Sequence, residues 1–222
     1  TRDTIEQIAG VTGPEVHQIG LQLARRGFVV ICPRNYLWQD VKNYNQAVER
    51  FRKRHPKTLG MHKMLYDSIR AVDILAADPE VDPRRIGATG HSLGGKETLY
   101  LAAFDERVRA AVASEGGVGF RYTNWDAPWY LGPGIHEKDF PLNHHQLMAL
   151  AAPRALLVLA GENSSPAASD GDRTWPFIEA ALPVYRLYSK RPRLGLFNHR
   201  QGHSIPPVAF ARMVEWLRTY LA

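Results

Sequence analysis

Five short runs of apolar residues, at 28–32, 85–89, 108–114, 155–160 and, more weakly, 193–197, punctuate the chain. They lack the polar alternation of a half-exposed strand, so they read as strands buried on both faces. Between them the apolar positions recur at helical spacing. Val16, Ile19 and Leu23 mark a helix over 14–26 that stops at Gly27. Met61, Met64, Leu65, Ile69, Val72 and Leu75 mark another over 61–77, and further helices are expected over 93–104, 175–188 and 206–221. This alternation predicts an α/β fold, a mostly parallel sheet with helices on both faces. With neither repeats nor a linker, one domain spanning 1–222 is the economical expectation.

Two stretches break the rhythm. Residues 35–60 join a strand to a helix at greater length than such a unit needs. Residues 116–143 are dense in aromatics, Pro and Gly, including Phe120, Tyr122, Trp125, Trp129, Tyr130 and Phe140. A long aromatic connection in a compact domain is expected to form a lid or pocket wall, with a plain surface insertion as the alternative.

Composition narrows the class. With 45% hydrophobic and 23% charged residues in 222, the chain can bury one real core and is not disordered. A single cysteine, Cys32, excludes a disulfide scaffold and reads as a buried core thiol. No apolar run reaches the roughly 18 residues of a membrane span, so no membrane association is expected. The net charge of +6 is scattered over Arg25-Arg26, Arg50 to Arg54, Arg84-Arg85 and Lys190-Arg191 rather than gathered in one stripe with stacking aromatics. A solvated surface is therefore expected in place of nucleic-acid binding.

The chemistry concentrates at Gly90-His91-Ser92-Leu93-Gly94, which has the form G-x-S-x-G. A strand pattern precedes it and a helix pattern follows. A sharp turn between the two pushes the Ser92 side chain into the open, and the helix start directs unpaired N–H groups at the site. The Leu93 N–H is then the expected oxyanion donor. A serine hydroxyl needs a base. His203, in Gly202-His203-Ser204, lies in a loop between the last strand and the last helix, 111 residues downstream, and is the preferred base among nine histidines. His199 is the reserve. His144-His145 look structural, and His91 is expected to shape the pocket.

A carboxylate must hold the imidazole. Two positions compete nearly evenly. Asp172, with Asp170 close by, stands after the strand ending at Ala160 and before the next helix, and is placed slightly ahead. Its bland alternative is a helix N-cap. Glu115 ends the strand after the nucleophile, 23 residues beyond Ser92, and is followed by Gly116-Gly117.

These residues resemble the α/β-hydrolase superfamily, and most of all its carbohydrate-esterase and dienelactone-hydrolase-like members, among them acetyl xylan esterases and glucuronoyl esterases. The passage from Leu23 through Arg25-Arg26-Gly27 to Val30 is similar to the helix-to-strand passage of the dienelactone-hydrolase-like proteins. Lys96, four after the serine, resembles the glucuronoyl esterases, as do His145-Gln146-Leu147 leading to Ala151-Ala152-Pro153-Arg154 and the spacing of Glu115. The resemblance implies a triad with Ser92 and His203, and an ester substrate that is a small molecule or linked to carbohydrate. Two positions depart from it. Glucuronoyl esterases carry an arginine directly after the serine, where this chain has Leu93, so a simpler ester is favoured. Ser164 stands where an acid follows the seventh strand. The resemblance further equates residues 28–32 with the fourth strand of the superfamily. The domain is then expected to be N-terminally incomplete, with the loop of the second oxyanion donor at or before Thr1 to Thr4.

The expectation is a serine carboxylic ester hydrolase of acetyl-esterase type, working through an acyl-enzyme. Lys96, His91, Trp125 and Trp129 are the candidate substrate-binding residues. No cofactor and no metal are expected, since no ligand spacing of histidines or cysteines occurs on a helix. The alternatives are a glucuronoyl-type esterase, a lactonase or dienelactone hydrolase, a peptidase or an acyltransferase on the same triad, or a binding protein that retains the fold.

Overall fold

Four parallel strands form where four of the apolar runs lie. The computed structural model describes residues 13, 17–38, 41–162, 171–188 and 191–222. The elements, in chain order, are α1 (Ile19–Ala24), α2 (Tyr44–Arg54), α3 (Gly60–Ala77), β1 (Ile86–His91), α4 (Leu93–Phe104), β2 (Val108–Ser114), α5 (His144–Ala151), β3 (Ala155–Ala160), α6 (Gly171–Arg186), β4 (Leu194–Asn198) and α7 (Pro207–Leu221). Short 3-10 turns occur at Tyr36–Trp38 and Pro133–His136. The sheet order is β1-β2-β3-β4, so each strand pairs with the next in sequence through a helical crossover. Every residue of β3, and all of β2 but Arg109, is buried, as the absence of alternation requires.

The described chain divides into two compact units, one of residues up to Val81 with Trp125–Phe140, the other of Asp82–Asn124 with Pro141–Ala222. The second unit holds the sheet. Helices α4, α5 and α6 pack one on the next, while α7 lies against β1, β2 and β3. Its buried stripe is Ala209, Phe210, Met213, Val214 and Leu217, one face of a 3.6-residue period. Thr89, pointing towards α7, donates to Val112 O at 3.0 Å and approaches Met213 Sδ at 3.4 Å. Arg154, buried just before β3, closes the other end of this unit. Its guanidinium donates to Ala102 O, to Asp105 O at 3.0 Å and to Leu150 O at 3.0 Å. The last carbonyls of α4, which have no intrahelical donor, are thereby satisfied.

The first unit is helical. Trp129 packs edge-on against Tyr44 (ring centroids 5.3 Å apart), Tyr36 packs on Phe51 (5.6 Å), and Met61 N–H donates to Tyr130 O at 3.1 Å.

Three expectations need correction. Residues 28–32 are not a strand: the run makes no ladder with any described residue, and Val29 is exposed. Apolar β-formers become a strand only when a neighbour offers its backbone groups. Cys32 is half-buried rather than a core thiol, and partial desolvation raises its thiol pKa. Residues 35–60 contain the unanticipated helix α2. It is capped by Asn43, whose side chain accepts from Gln46 N–H at 3.0 Å, and it buries only Ala47 and Val48, so its apolar stripe is too short to register as a period. The stretch 116–143 is divided between the two units. Expectations that touch Thr1 to Thr4, Pro14 to Val16, Ser164 or Asp170 lie outside the described residues.

Replacing Arg154 by Met leaves several buried carbonyls without a donor. The expected loss is about 3 kcal/mol of unfolding free energy, measured by urea denaturation. A loss within experimental error would show that water replaces the guanidinium at no cost.

Candidate active site

Parallel register brings the strand ends level. His91 of β1 is opposite Ser114 of β2, Ser114 is opposite Leu159 of β3, and Ala160 is opposite Asn198 of β4. The residue after each of these ends continues the ladder by one bond. Ser92 N–H donates to Ser114 O at 2.8 Å, Glu115 N–H to Leu159 O at 2.9 Å, and His199 N–H to Ala160 O at 2.8 Å. Ser92, Glu115 and His199 therefore stand along the carboxyl edge of the sheet, the usual place for a site in an open α/β fold.

Ser92 has φ 58° and ψ −114°, a backbone conformation costly for any residue but glycine. The turn is possible because Gly90 has no side chain: a Cβ there would sit 2.4 Å from the Gly94 carbonyl group. Leu93 opens α4, so its N–H belongs to the first turn and has no intrahelical acceptor.

His203 faces the site from the loop before α7. Its Nδ1 lies 3.3 Å from Glu115 Oε2, and its ring rests against that of His91 with centroids 4.6 Å apart. His91 Nδ1 in turn lies 3.2 Å from Ser114 Oγ. The carboxylate acceptor assigns the proton of His203 to Nδ1 and leaves the lone pair on Nε2. Nε2 makes no hydrogen bond to any described residue. Of the two carboxylates weighed for this role, Glu115 is the one beside the imidazole, with its side chain fully enclosed. Asp172, placed slightly ahead, lies in the first turn of α6 and has no hydrogen bond or ion pair to His203 among the described residues. Glu115 follows β2, which pairs directly with the strand before Ser92, whereas Asp172 comes after β3.

The four substrate-binding candidates separate. His91 stays at the site. Lys96 is buried, and its ammonium donates to Gly116 O and to Thr123 Oγ1 at 3.2 Å. It ties the loop after β2 to α4, and burial pushes its pKa down to about 7. Trp125 is fully buried with its ring 5.5 Å from Tyr130, so no solute reaches it. Trp129 belongs to the first unit, half-buried on Tyr44 and Tyr130. Both tryptophans pack on Tyr130. His144 is a second strut. Its Nδ1 meets Val118 O at 2.5 Å and its Nε2 meets Tyr100 OH at 3.1 Å. Burial holds it neutral, its pKa pushed down to about 3.

Sequence reasoning missed a second partner of Glu115. His199 Nε2 lies 2.8 Å from Glu115 Oε1, both side chains fully enclosed. The only signal was two histidines four apart at a strand end. Among the described residues no group of three or more His, Cys, Asp or Glu side chains is placed to hold a metal ion, and no helix is long and apolar enough to cross a membrane.

A parallel sheet flanked by helices, with a strained serine between the strand and the helix at its carboxyl edge, defines the α/β-hydrolase fold. Residues 4–142 match the dienelactone hydrolase family, and the chain belongs to that family. It is 32% identical over 121 residues to 4-O-methyl-glucuronoyl methylesterase 1 of Sodiomyces alcalophilus, a match covering 43% of this chain and 24% of that protein. Among solved structures it is similar to a carbohydrate esterase family 15 glucuronoyl esterase from Caldicellulosiruptor kristjansonii (TM-score 0.62, 22% identity, 71% of this chain and 49% of that one). It is also similar to the glucuronoyl esterase catalytic domain from Hypocrea jecorina (TM-score 0.62, 20% identity, 74% and 52%). At these identities the structural likeness establishes the fold. The chain spans about a quarter of the curated relative and about half of each structure.

The buried Lys96 has a consequence for stability. Its folded pKa, about 7, lies below the 10.5 of the unfolded side chain. Between those values the unfolded chain binds more protons, so stability rises with pH there and the desolvation penalty fades. From pH 7 to 9 wild type should gain on Lys96→Met by up to about 1 kcal/mol per pH unit, read from paired urea titrations. A difference that stays flat with pH would mean that Lys96 keeps its charge inside the fold.

Proposed function

We propose that this chain is a serine carboxylic ester hydrolase acting on a carbohydrate-linked ester, of the glucuronoyl type in preference to the acetyl type. The observation that carries the reading is the coupling of His203 Nδ1 to the enclosed Glu115 at 3.3 Å, one strand along from the strained Ser92. Ser92 Oγ attacks the ester carbonyl while His203 Nε2 takes its proton. Glu115 holds the imidazole and balances the imidazolium charge. The Leu93 N–H receives the oxyanion. Collapse of the tetrahedral adduct breaks the acyl–oxygen bond, and the imidazolium returns the proton to the departing alcohol. Water, deprotonated by His203, then releases the acid and restores Ser92.

Two facts favour the glucuronoyl type. The curated relative quoted above carries that activity in its name, and Glu115 occupies the acid position noted for such enzymes. In a uronoyl ester the sugar acid becomes the acyl group on Ser92 and a simple alcohol leaves. In an acetyl ester the acetyl group is transferred and the sugar leaves. Leu93 in place of an arginine means that the oxyanion is met by main-chain N–H groups at this position.

Methyl glucuronate should be turned over with a higher kcat/KM than p-nitrophenyl acetate, measured by methanol and nitrophenolate release. The reverse order returns the reading to an acetyl esterase. Ser92→Ala should lose both activities and labelling by a fluorophosphonate; equal labelling of wild type and Ser92→Ala would defeat the serine mechanism. Glu115→Gln should lower kcat by about 10²–10⁴-fold, whereas Asp172→Asn should change it less than about twofold.

A further inference from the structure

Glu115 meets two imidazoles, one at each oxygen. His203 reaches Oε2 at 3.3 Å and His199 reaches Oε1 at 2.8 Å. The two histidines differ in kind. The His203 side chain is 30% exposed, whereas that of His199 is 0% exposed. The Gln201 main-chain N–H donates to His199 Nδ1 at 3.3 Å. That nitrogen is therefore an acceptor and the ring proton sits on Nε2, the atom beside Glu115. The 2.8 Å separation is within hydrogen-bonding distance, with the N–H vector turned off the oxygen in this arrangement. With Nδ1 occupied and no access to solvent, His199 is unable to serve as the base.

The surroundings are shaped to this ring. Arg200 adopts φ 58°, a left-handed conformation unusual for a side-chain-bearing residue. It turns the chain so that the Gln201 N–H points back to His199 while Gln201 O accepts from Glu162 N–H at 2.9 Å. Gly161 leaves the space beside the pair. A Cβ there would lie 2.8 Å from Glu115 Oε1, 2.9 Å from His199 Cε1 and 2.1 Å from Gln201 O. Backbone strain kept in a non-glycine residue next to a functional group is a cost that positioning offsets.

We infer that His199 is a positioning residue for the triad: a neutral imidazole whose Nε2–H fixes the Glu115 carboxylate so that its other oxygen faces His203. The inference rests on the serine hydrolase reading above. His199 exchanges no proton with the substrate. Its effect is greatest on the imidazolium that His203 becomes as it takes the serine proton, so its removal should be felt in kcat and not in KM.

The test uses the full chain with p-nitrophenyl acetate, comparing wild type, His199→Leu, His199→Gln and Ser92→Ala, each checked for folding by circular dichroism. His199→Leu, which fills the space without a donor, should lower kcat about 100-fold with KM within about threefold. His199→Gln, whose amide N–H extends towards Oε1, should recover at least about tenfold of that loss. A His199→Leu enzyme with kcat within about threefold of wild type, or one altered in KM alone, overturns the inference. So does a folded His199→Gln protein as slow as the Leu variant. If His199→Leu does not fold, His199→Gln decides: kcat within about tenfold of wild type supports the role, and a larger loss overturns it. Ser92→Ala keeps the two readings apart. If it stays active, the serine mechanism itself fails; if it is dead while His199→Leu is unimpaired, only the positioning role fails.

Discussion

The register of one parallel sheet is the constraint on which the rest depends. Because β1, β2, β3 and β4 pair in order and end level, the residues that follow them emerge side by side. No side-chain interaction brings Ser92, Glu115 and His199 together first; the main-chain ladder does, each N–H bonding to the neighbouring strand at 2.8–2.9 Å. A slip of one residue in β1 against β2 would turn every side chain to the other face and separate the serine from its carboxylate. The buried Ala, Val and Leu of β2 and β3 resist such a slip, because both faces are packed and exchanging them would mismatch side-chain volumes against their neighbours. Stability of the core and geometry of the site are here the same property.

Among the described residues, the positive-φ residues other than glycine are Ser92, Glu115 and Arg200, and all three lie at or just beyond a strand end of this edge. Ser92 adopts its positive φ at the sharp turn from β1 into α4. Glu115 turns its carboxylate inward to an enclosed position. Arg200 turns the chain back so that main-chain groups secure His199 and Glu162. Each such conformation costs of order 1–3 kcal/mol. The surrounding sheet, with α4 and α7, has to supply it. Glycines occur where two segments must approach beyond what a Cβ permits, at Gly90 under the serine turn and at Gly161 beside the histidine–carboxylate pair.

Two buried polar side chains of this unit tie a loop to its helices. Lys96 ties the loop after β2 to α4, and His144 ties the same loop to α5 and Tyr100. Burial lowers both pKa values, to about 3 for His144, which is held neutral, and to about 7 for Lys96, which loses its charge more readily than a solvated lysine. By sequence Lys96 could meet a sugar or an acidic group; in the structure its ammonium bonds to Gly116 O and Thr123 Oγ1 of the loop after β2.

Local chemistry in the sequence determined a good deal. The glycine–serine–glycine turn, the unbroken apolar strands at 108–114 and 155–160, the histidine before the last helix and the helical periods all come from interactions within a few residues, and the structure has an element at each of these places. The fold class follows from them, since such strands must be covered on both sides. Non-local pairing decided the rest. Whether Glu115 or Asp172 stands beside His203 depends on which strand lies next to the nucleophile strand, a matter of sheet order that spacing along the chain does not contain. The second imidazole on Glu115 exists only because β4 reaches the same edge two strands away. Residues 28–32 have strand composition but no partner, and Trp125 has the composition of a pocket wall but the burial of a core residue. Propensity and motif are properties of a segment, whereas adjacency and enclosure are properties of the packed chain, and the site is made of adjacency.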